Sequence, residues 1–240
     1  MVVLAVLVAD TGSSNADRVV GGAGQGGDGS APLAGPIVPP PTLPAGQRTR
    51  GGKGHRVIPE GFLPQEETAR VPLSQPDVYW VRNDGADLPP MLTLCGRRLP
   101  GDKKRVDGRQ LVLVGPSLWK ASRLVVYRDV RAAKAAVTEI RTALRRCKRQ
   151  DRANGETTVW ASEALPIGDE ALFVGGQEFR GAERVPGIFR VLVLRSGRAV
   201  QVYLVCGQST ETPTPPTDFA NDEATTMAQK LAHARWAQSS

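Results

Sequence analysis

Between Asp129 and Cys147 the apolar residues Val130, Ala133, Val137, Ile140, Leu144 and Cys147 recur at steps of three and four. Such steps bring all six side chains onto one face of a helix. They predict a helix over about 129–149, capped by Asp129, with its apolar row on a core. One residue further round runs a second row, Arg131, Lys134, Thr138, Arg141, Arg145 and Lys148. The helix therefore carries a cationic stripe beside its buried one.

Elsewhere the period drops to two, the spacing of strands. Strands are expected at Asp77–Arg82, Gln110–Val114, Ser122–Tyr127, Thr157–Leu165 and Glu170–Val174. The clearest pair is Gly187–Arg195 and Arg198–Cys206, joined through Ser196-Gly197. A two-residue turn there sets Phe189 opposite Leu204, Val191 opposite Val202 and Val193 opposite Val200. The other face carries Arg190, Leu192, Gln201 and Tyr203, which predicts one core face and one wet face.

After Pro213–Pro216 a last helix is expected over about 217–237, capped by Thr217 or Asp218. Acidic Asp222 and Glu223 lie early in it and Lys230 and Arg235 late, matching the helix dipole. Two main helices on a mostly antiparallel sheet make the fold class α+β.

Composition divides the chain. GGAGQGGDGS and PLAGPIVPPPTLPAG fall in the first 55 residues, which read as a flexible Gly/Pro-rich linker. Residues 56–240 are expected to form one domain. The opening MVVLAVLVADTGSS is too short to span a bilayer, which takes about 20 apolar residues. An apolar run leading into such a linker is expected to be the distal part of an anchor or signal segment that includes or precedes residue 1.

The net charge of +7 is concentrated in residues 77–155, with 18 basic and 8 acidic side chains, against 7 and 10 in residues 156–240. Nucleic acid is not expected as a partner, because the basic helix contains no aromatic residue and no finger or helix-turn-helix motif is present. Arg131, Lys134, Arg141, Arg145 and Lys148 are instead candidate ligand- or anion-binding residues. The stripe could equally be a solvated face, or be neutralised by the acidic half through Asp169, Glu170, Glu178 or Glu183. A mixed outcome is expected, with Arg141 and Arg145 paired internally and the others in solvent.

Catalytic constellations are missing. Gly22-Ala23-Gly24-Gln25-Gly26-Gly27 fits a dinucleotide fingerprint but runs into a proline tract instead of a helix. The segment Gly46–Gly54 has the wrong spacing for a phosphate loop. The two histidines, His55 and His233, lie in the linker and the last helix. No enzyme, cofactor or metal site is expected. Gly168-Asp169-Glu170 reads as a turn in which Asp169 caps local amides, and Trp80, Trp119 and Trp160 read as core anchors.

Three cysteines suit buried free thiols as well as a bridge with one left over. A Cys95–Cys147 bridge would close a loop of about fifty residues and add about 4 kcal/mol in the chain-entropy model. Cys206 reads as a small buried hydrophobe.

The order Cys95, Tyr127, a basic helix ending in Cys147, Gly168-Asp169-Glu170-Ala171, Arg190-Val191-Leu192-Val193, a hairpin, Val200-Gln201-Val202-Tyr203-Leu204-Val205 and an Ala-rich final helix carries a resemblance. It resembles actinobacterial extracytoplasmic sensor domains, similar to the external domain of mycobacterial receptor Ser/Thr kinases, over roughly residues 57–237. The resemblance implies a non-catalytic domain outside the membrane, anchored or secreted, that binds an unknown small ligand in a cleft between sheet and helices. It also implies at least one disulfide, with Cys95–Cys147 the natural assignment. The chain departs from those receptors in having no kinase domain, and three cysteines where two bridges need four. The cleft is expected between the sheet and the basic helix. The alternative is a cationic interaction domain for a polyanion such as anionic lipid or cell-wall polymer.

Overall fold

Strands β7 (Glu183–Ser196) and β8 (Ala199–Gly207) form the middle of an eight-stranded antiparallel sheet. The computed structural model describes residues 57–238 except 71–72, 75–76, 89–91, 93, 96–99, 117, 153–154 and 209–218. The expected linker, and the caps Thr217 and Asp218, lie outside the described residues. The other strands are β1 (Tyr79–Asp84), β2 (Arg105–Val114), β3 (Leu118–Tyr127), β4 (Arg149–Asp151), β5 (Glu156–Leu165) and β6 (Glu170–Arg180). Their order across the sheet is β1-β2-β3-β8-β7-β6-β5-β4. Helices are α1 (Gln65–Thr68), α2 (Val130–Arg146), α3 (Phe219–His233) and α4 (Arg235–Gln238). The fold is α+β.

The basic helix forms as its periodicity requires. Asp129 Oδ1 accepts from the Ala132 amide at 2.6 Å, and Ala133, Val137, Ile140, Leu144 and Cys147 are buried. Glu139, which has no basic neighbour along the helix, accepts from the Gly101 amide at 2.8 Å. The helix carries the chain over one sheet face, from β3 near the centre to β4 at the far edge.

Two details of the central hairpin differ from expectation. Val191 pairs with Leu204 and Val193 with Val202, so the register is two residues off. The turn is Gly197-Arg198, with Gly197 at φ +56° in the first central position, where II′-type turns place glycine. A shift of two keeps every side chain on its face, and Phe189, Val191, Val193, Val200, Val202 and Leu204 still share the α2 core. The opposite face is not wet. Leu192, Leu194, Ala199 and Tyr203 join a second core with Ala224, Met227, Ala228 and Leu231 of α3. Burying both faces takes a second covering element, and the C-terminal helix supplies it.

Asp169 also acts at longer range than a local turn. Its Oδ2 accepts from the Gly197 amide at 2.8 Å and from Arg195 Nη1 at 2.9 Å, so it fastens the β7–β8 turn.

Candidate functional site

The cationic stripe is split by its surroundings. Arg141 is half-buried and ion-paired with Glu170 at the start of β6. Arg131, Lys134, Arg145 and Lys148 are exposed. Arg145 Nη2 donates to Thr142 Oγ1 at 3.2 Å, and its expected internal carboxylate partner is not found among the described residues. The buried row of the helix shares one core with Val125, Val191 and Val193.

Cys95 and Cys147 form a disulfide, with Cα atoms 6.0 Å apart. It ties the segment before β2 to the end of α2. Cys206 is a free thiol beside the α2 core, and burial pushes its pKa up.

A cavity of about 210 Å3 lies on the opposite face of the sheet. Its walls are Trp80 of β1, Leu113 of β2, Lys120 and Ser122 of β3, and Tyr203 and Val205 of β8, closed by Gln65 and Thr68 of α1 and by Glu223 of α3. This cavity is on the α3 side of the sheet, the face opposite the basic helix. Strand alternation sends Trp80, Ser122 and Tyr203 to this face. Of the three tryptophans read as core anchors, Trp160 packs on Phe189 at 5.8 Å in the α2 core, Trp119 is partly buried against that core, and Trp80, partly buried against the second core, also lines the cleft.

The α1 wall is pinned by buried charge. Asp107 Oδ2 accepts from the amides of Val57 and Ile58 at 2.7 and 2.9 Å. Arg109 donates to Glu66 at 2.8 Å, to Asp84 at 2.8 Å and to the Pro59 carbonyl at 2.6 Å. Glu66 also accepts from the Gly61 and Leu63 amides. From α3, Lys230 lies 4.6 Å over the Phe62 ring and donates to the Phe62 carbonyl.

Inside the cleft the polar groups are sparse. Gln65, Trp80 and Tyr203, which line it, each carry a polar atom (Oε1, Nε1 and Oη) that has almost no accessible surface and no hydrogen-bond partner among the described residues. Ser122 Oγ accepts from Gln201 Nε2 at 2.8 Å. Burial pushes the Glu223 carboxyl up, against the lowering pull of the Lys120 charge. Burial, and then the Glu223 charge, holds the Tyr203 phenol well above its ordinary range.

No family model and no curated protein matches the chain. Solved structures similar to it include two from mycobacteria. One is the extracellular domain of PknH from Mycobacterium tuberculosis, at 14% identity and a TM-score of 0.47, covering 75% of this chain and 97% of that one. The other is a putative uncharacterized protein from Mycobacterium smegmatis, at 12% identity and a TM-score of 0.37, covering 72% and 95% respectively. The chain is similar to the external domain of a mycobacterial kinase, the likeness expected from the order of its residues.

Sequence reasoning did not find Gln65, Trp80, Lys120, Ser122, Tyr203 or Glu223 as a group. Alternation puts Tyr203 on a face expected to be wet, and the packing of α3 on that face buries it beside the cleft. Among the described residues no three His, Cys, Asp or Glu side chains gather as metal ligands, and no helix is long and apolar enough to cross a membrane.

Proposed function

We propose that this protein is a non-catalytic ligand-binding module outside the cytoplasmic membrane, held there by an anchor or secreted, with its site in the cleft between the sheet and α3. The observation that carries this is the cleft itself, an apolar concavity bounded by β1, β2, β3 and β8 on one side and by α1 and α3 on the other. Small-molecule sites are typically concave and mostly apolar, as this one is. The Cys95–Cys147 bridge supports an oxidising compartment.

A fragment screen by NMR, on the wild type and on Val205→Trp, tests this reading. Val205 lines the cleft, so the indole fills it. Fragments that shift Trp80 and Tyr203 resonances in the wild type should be lost in the variant, with its unfolding midpoint showing that it folds. A screen in which no fragment perturbs the cleft overturns the reading.

The exposed Arg131, Lys134, Arg145 and Lys148, with Arg146 and Arg149 exposed alongside, favour a second reading, an interaction surface for a polyanion. Binding of anionic vesicles or polymer would then collapse as salt rises. Capture that is indifferent to ionic strength would count against it.

A further inference from the structure

We propose that the open edge of β5, from Ala161 to Leu165, takes an acidic segment of another protein as an added strand, with the last turns of α2 supplying the positive charge. This is independent of the cleft. It rests on the cationic row of the second reading above and adds what kind of partner that row meets and how the partner is held.

Strand β4 covers only part of its neighbour. It pairs with Thr157, Thr158 and Val159, and the Trp160 amide donates to the Lys148 carbonyl at 2.9 Å. Strand β5 itself runs on to Leu165. In an antiparallel ladder the N–H and C=O of one residue point to the same side, and successive residues alternate. Trp160 turns its amide outwards, so Ser162 and Ala164 do the same, while Ala161 and Glu163 bond to β6. The outward groups of Ser162 and Ala164 have no hydrogen-bond partner among the described residues.

This stretch is accessible. Ala161, Ser162, Glu163 and Ala164 are all exposed, and the small side chains of Ser162 and Ala164 let a second main chain approach. Many edges are closed by a proline, a bulge or a lysine. From Ala161 to Leu165 there is no proline or lysine, and the register with β6 is unbroken.

Charge selects the occupant. Lys148 lies opposite Trp160, and Arg141 is ion-paired with Glu170, next to Ala171, the register partner of Leu165. Arg145 falls between them along the helix, so Arg141, Arg145 and Lys148 follow β5 from Leu165 back to Trp160. Arg145 and Lys148 are exposed. Trp160 belongs to the α2 core, so alternation sends Ser162 and Ala164 to the α2 face and Glu163 to the other. Residues of an added strand opposite Ser162 and Ala164 send their side chains to the α2 face as well, towards the cations. The partner therefore carries an acidic side chain at every second position, with uncharged ones between them facing Glu163. Main-chain bonds supply the affinity of such an added strand and alternate side chains its specificity. A second copy of this chain fits less well, because edge-to-edge pairing would bring two cationic rows and two Glu163 side chains together.

The test uses the full 15N-labelled chain and short acetylated peptides of alternating Glu and Thr. A second peptide carries Lys in place of Glu. A third keeps the Glu side chains but is methylated at their main-chain nitrogens, the ones that would donate to β5. The Glu peptide should slow exchange of the Ser162 and Ala164 amides and leave Ala161 and Glu163, already bonded to β6, unchanged. The Lys peptide and the methylated peptide should bind about tenfold or more weakly. Ser162→Pro removes an outward donor without touching the β6 ladder and should weaken the Glu peptide to the same degree. Equal binding of the methylated peptide overturns strand addition and leaves the polyanion reading intact. Equal binding of the Lys peptide overturns the assignment of an acidic partner. Exchange at Ser162 and Ala164 that no peptide slows, or that slows as the protein alone is concentrated into a dimer, overturns the inference too. The comparison of peptides on the wild type decides the matter even if Ser162→Pro does not fold.

Discussion

Arg109 Nη1 donates to Glu66 Oε1 at 2.8 Å, and the two side chains are only 2% and 1% exposed. This pair joins β2 to α1, and so holds the wall of the cleft that contains Gln65 and Thr68. Removing one partner leaves a buried charge unpaired, which costs about 3–5 kcal/mol. Arg109→Leu should therefore lose stability on that scale in urea unfolding, and should raise amide exchange across residues 57–70. A loss under about 1 kcal/mol would show that the guanidinium is dispensable.

Acid should release the same segment. The Arg82 hydrogen bond, aided by the charges of Arg82 and Arg109, holds the Glu60 carboxyl at about 2, well below its usual range. Burial raises Glu66, but bonds from the Leu63 and Gly61 amides and from Arg109 outweigh it and leave it lowered. Both groups are bound more tightly as anions when folded. Their stabilisation is thus complete above the ordinary carboxylate range and is lost as pH falls towards about 2. Burial pushes Glu178 and Glu223 the other way, so the readout must be local. Exchange of the Ile58 and Leu63 amides should rise below pH 4, and Arg82→Leu should move that rise to higher pH.

Non-reducing mass mapping should find Cys95 linked to Cys147 and a single thiol at Cys206. That thiol should resist alkylation until the chain unfolds, because burial pushes its pKa up and leaves little thiolate. Reduction should cost about 4 kcal/mol, given the 52-residue separation. Three thiols alkylated at the native rate would contradict the bridge.

The cationic stripe should divide energetically as it divides structurally. Arg141→Ala removes a partner of Glu170 and should lower stability by up to about 1 kcal/mol. Arg145→Ala should leave the unfolding midpoint unchanged, since Arg145 is exposed and among the described residues its side chain bonds only Thr142. Equal losses from the two substitutions would restore the expectation that both are paired internally.

The sequence was most legible where the signal repeats. The three-and-four spacing from Val130 to Cys147 specified α2 and its buried face, because only a helix collects those positions on one side. Alternation specified β7 and β8, and the faces survived an error in register because the error was an even number of residues. Short elements without a period, α1 and β4, left no trace. The extension of β7 back to Glu183 was also missed, since its first residues are largely exposed and do not alternate with apolar ones.

What covers a face is not written in that face. Leu192, Gln201 and Tyr203 show the alternation of a half-wet strand, and became buried only because α3 and residues 57–70 pack across them. The chain by itself determined the periodic elements, their apolar sides and the cysteine available at the end of α2. The tertiary structure decided that Arg109 would be buried against Glu66 and that a cleft would open beside Tyr203. Both outcomes depend on contacts between segments more than forty residues apart, for which local periodicity carries no signal.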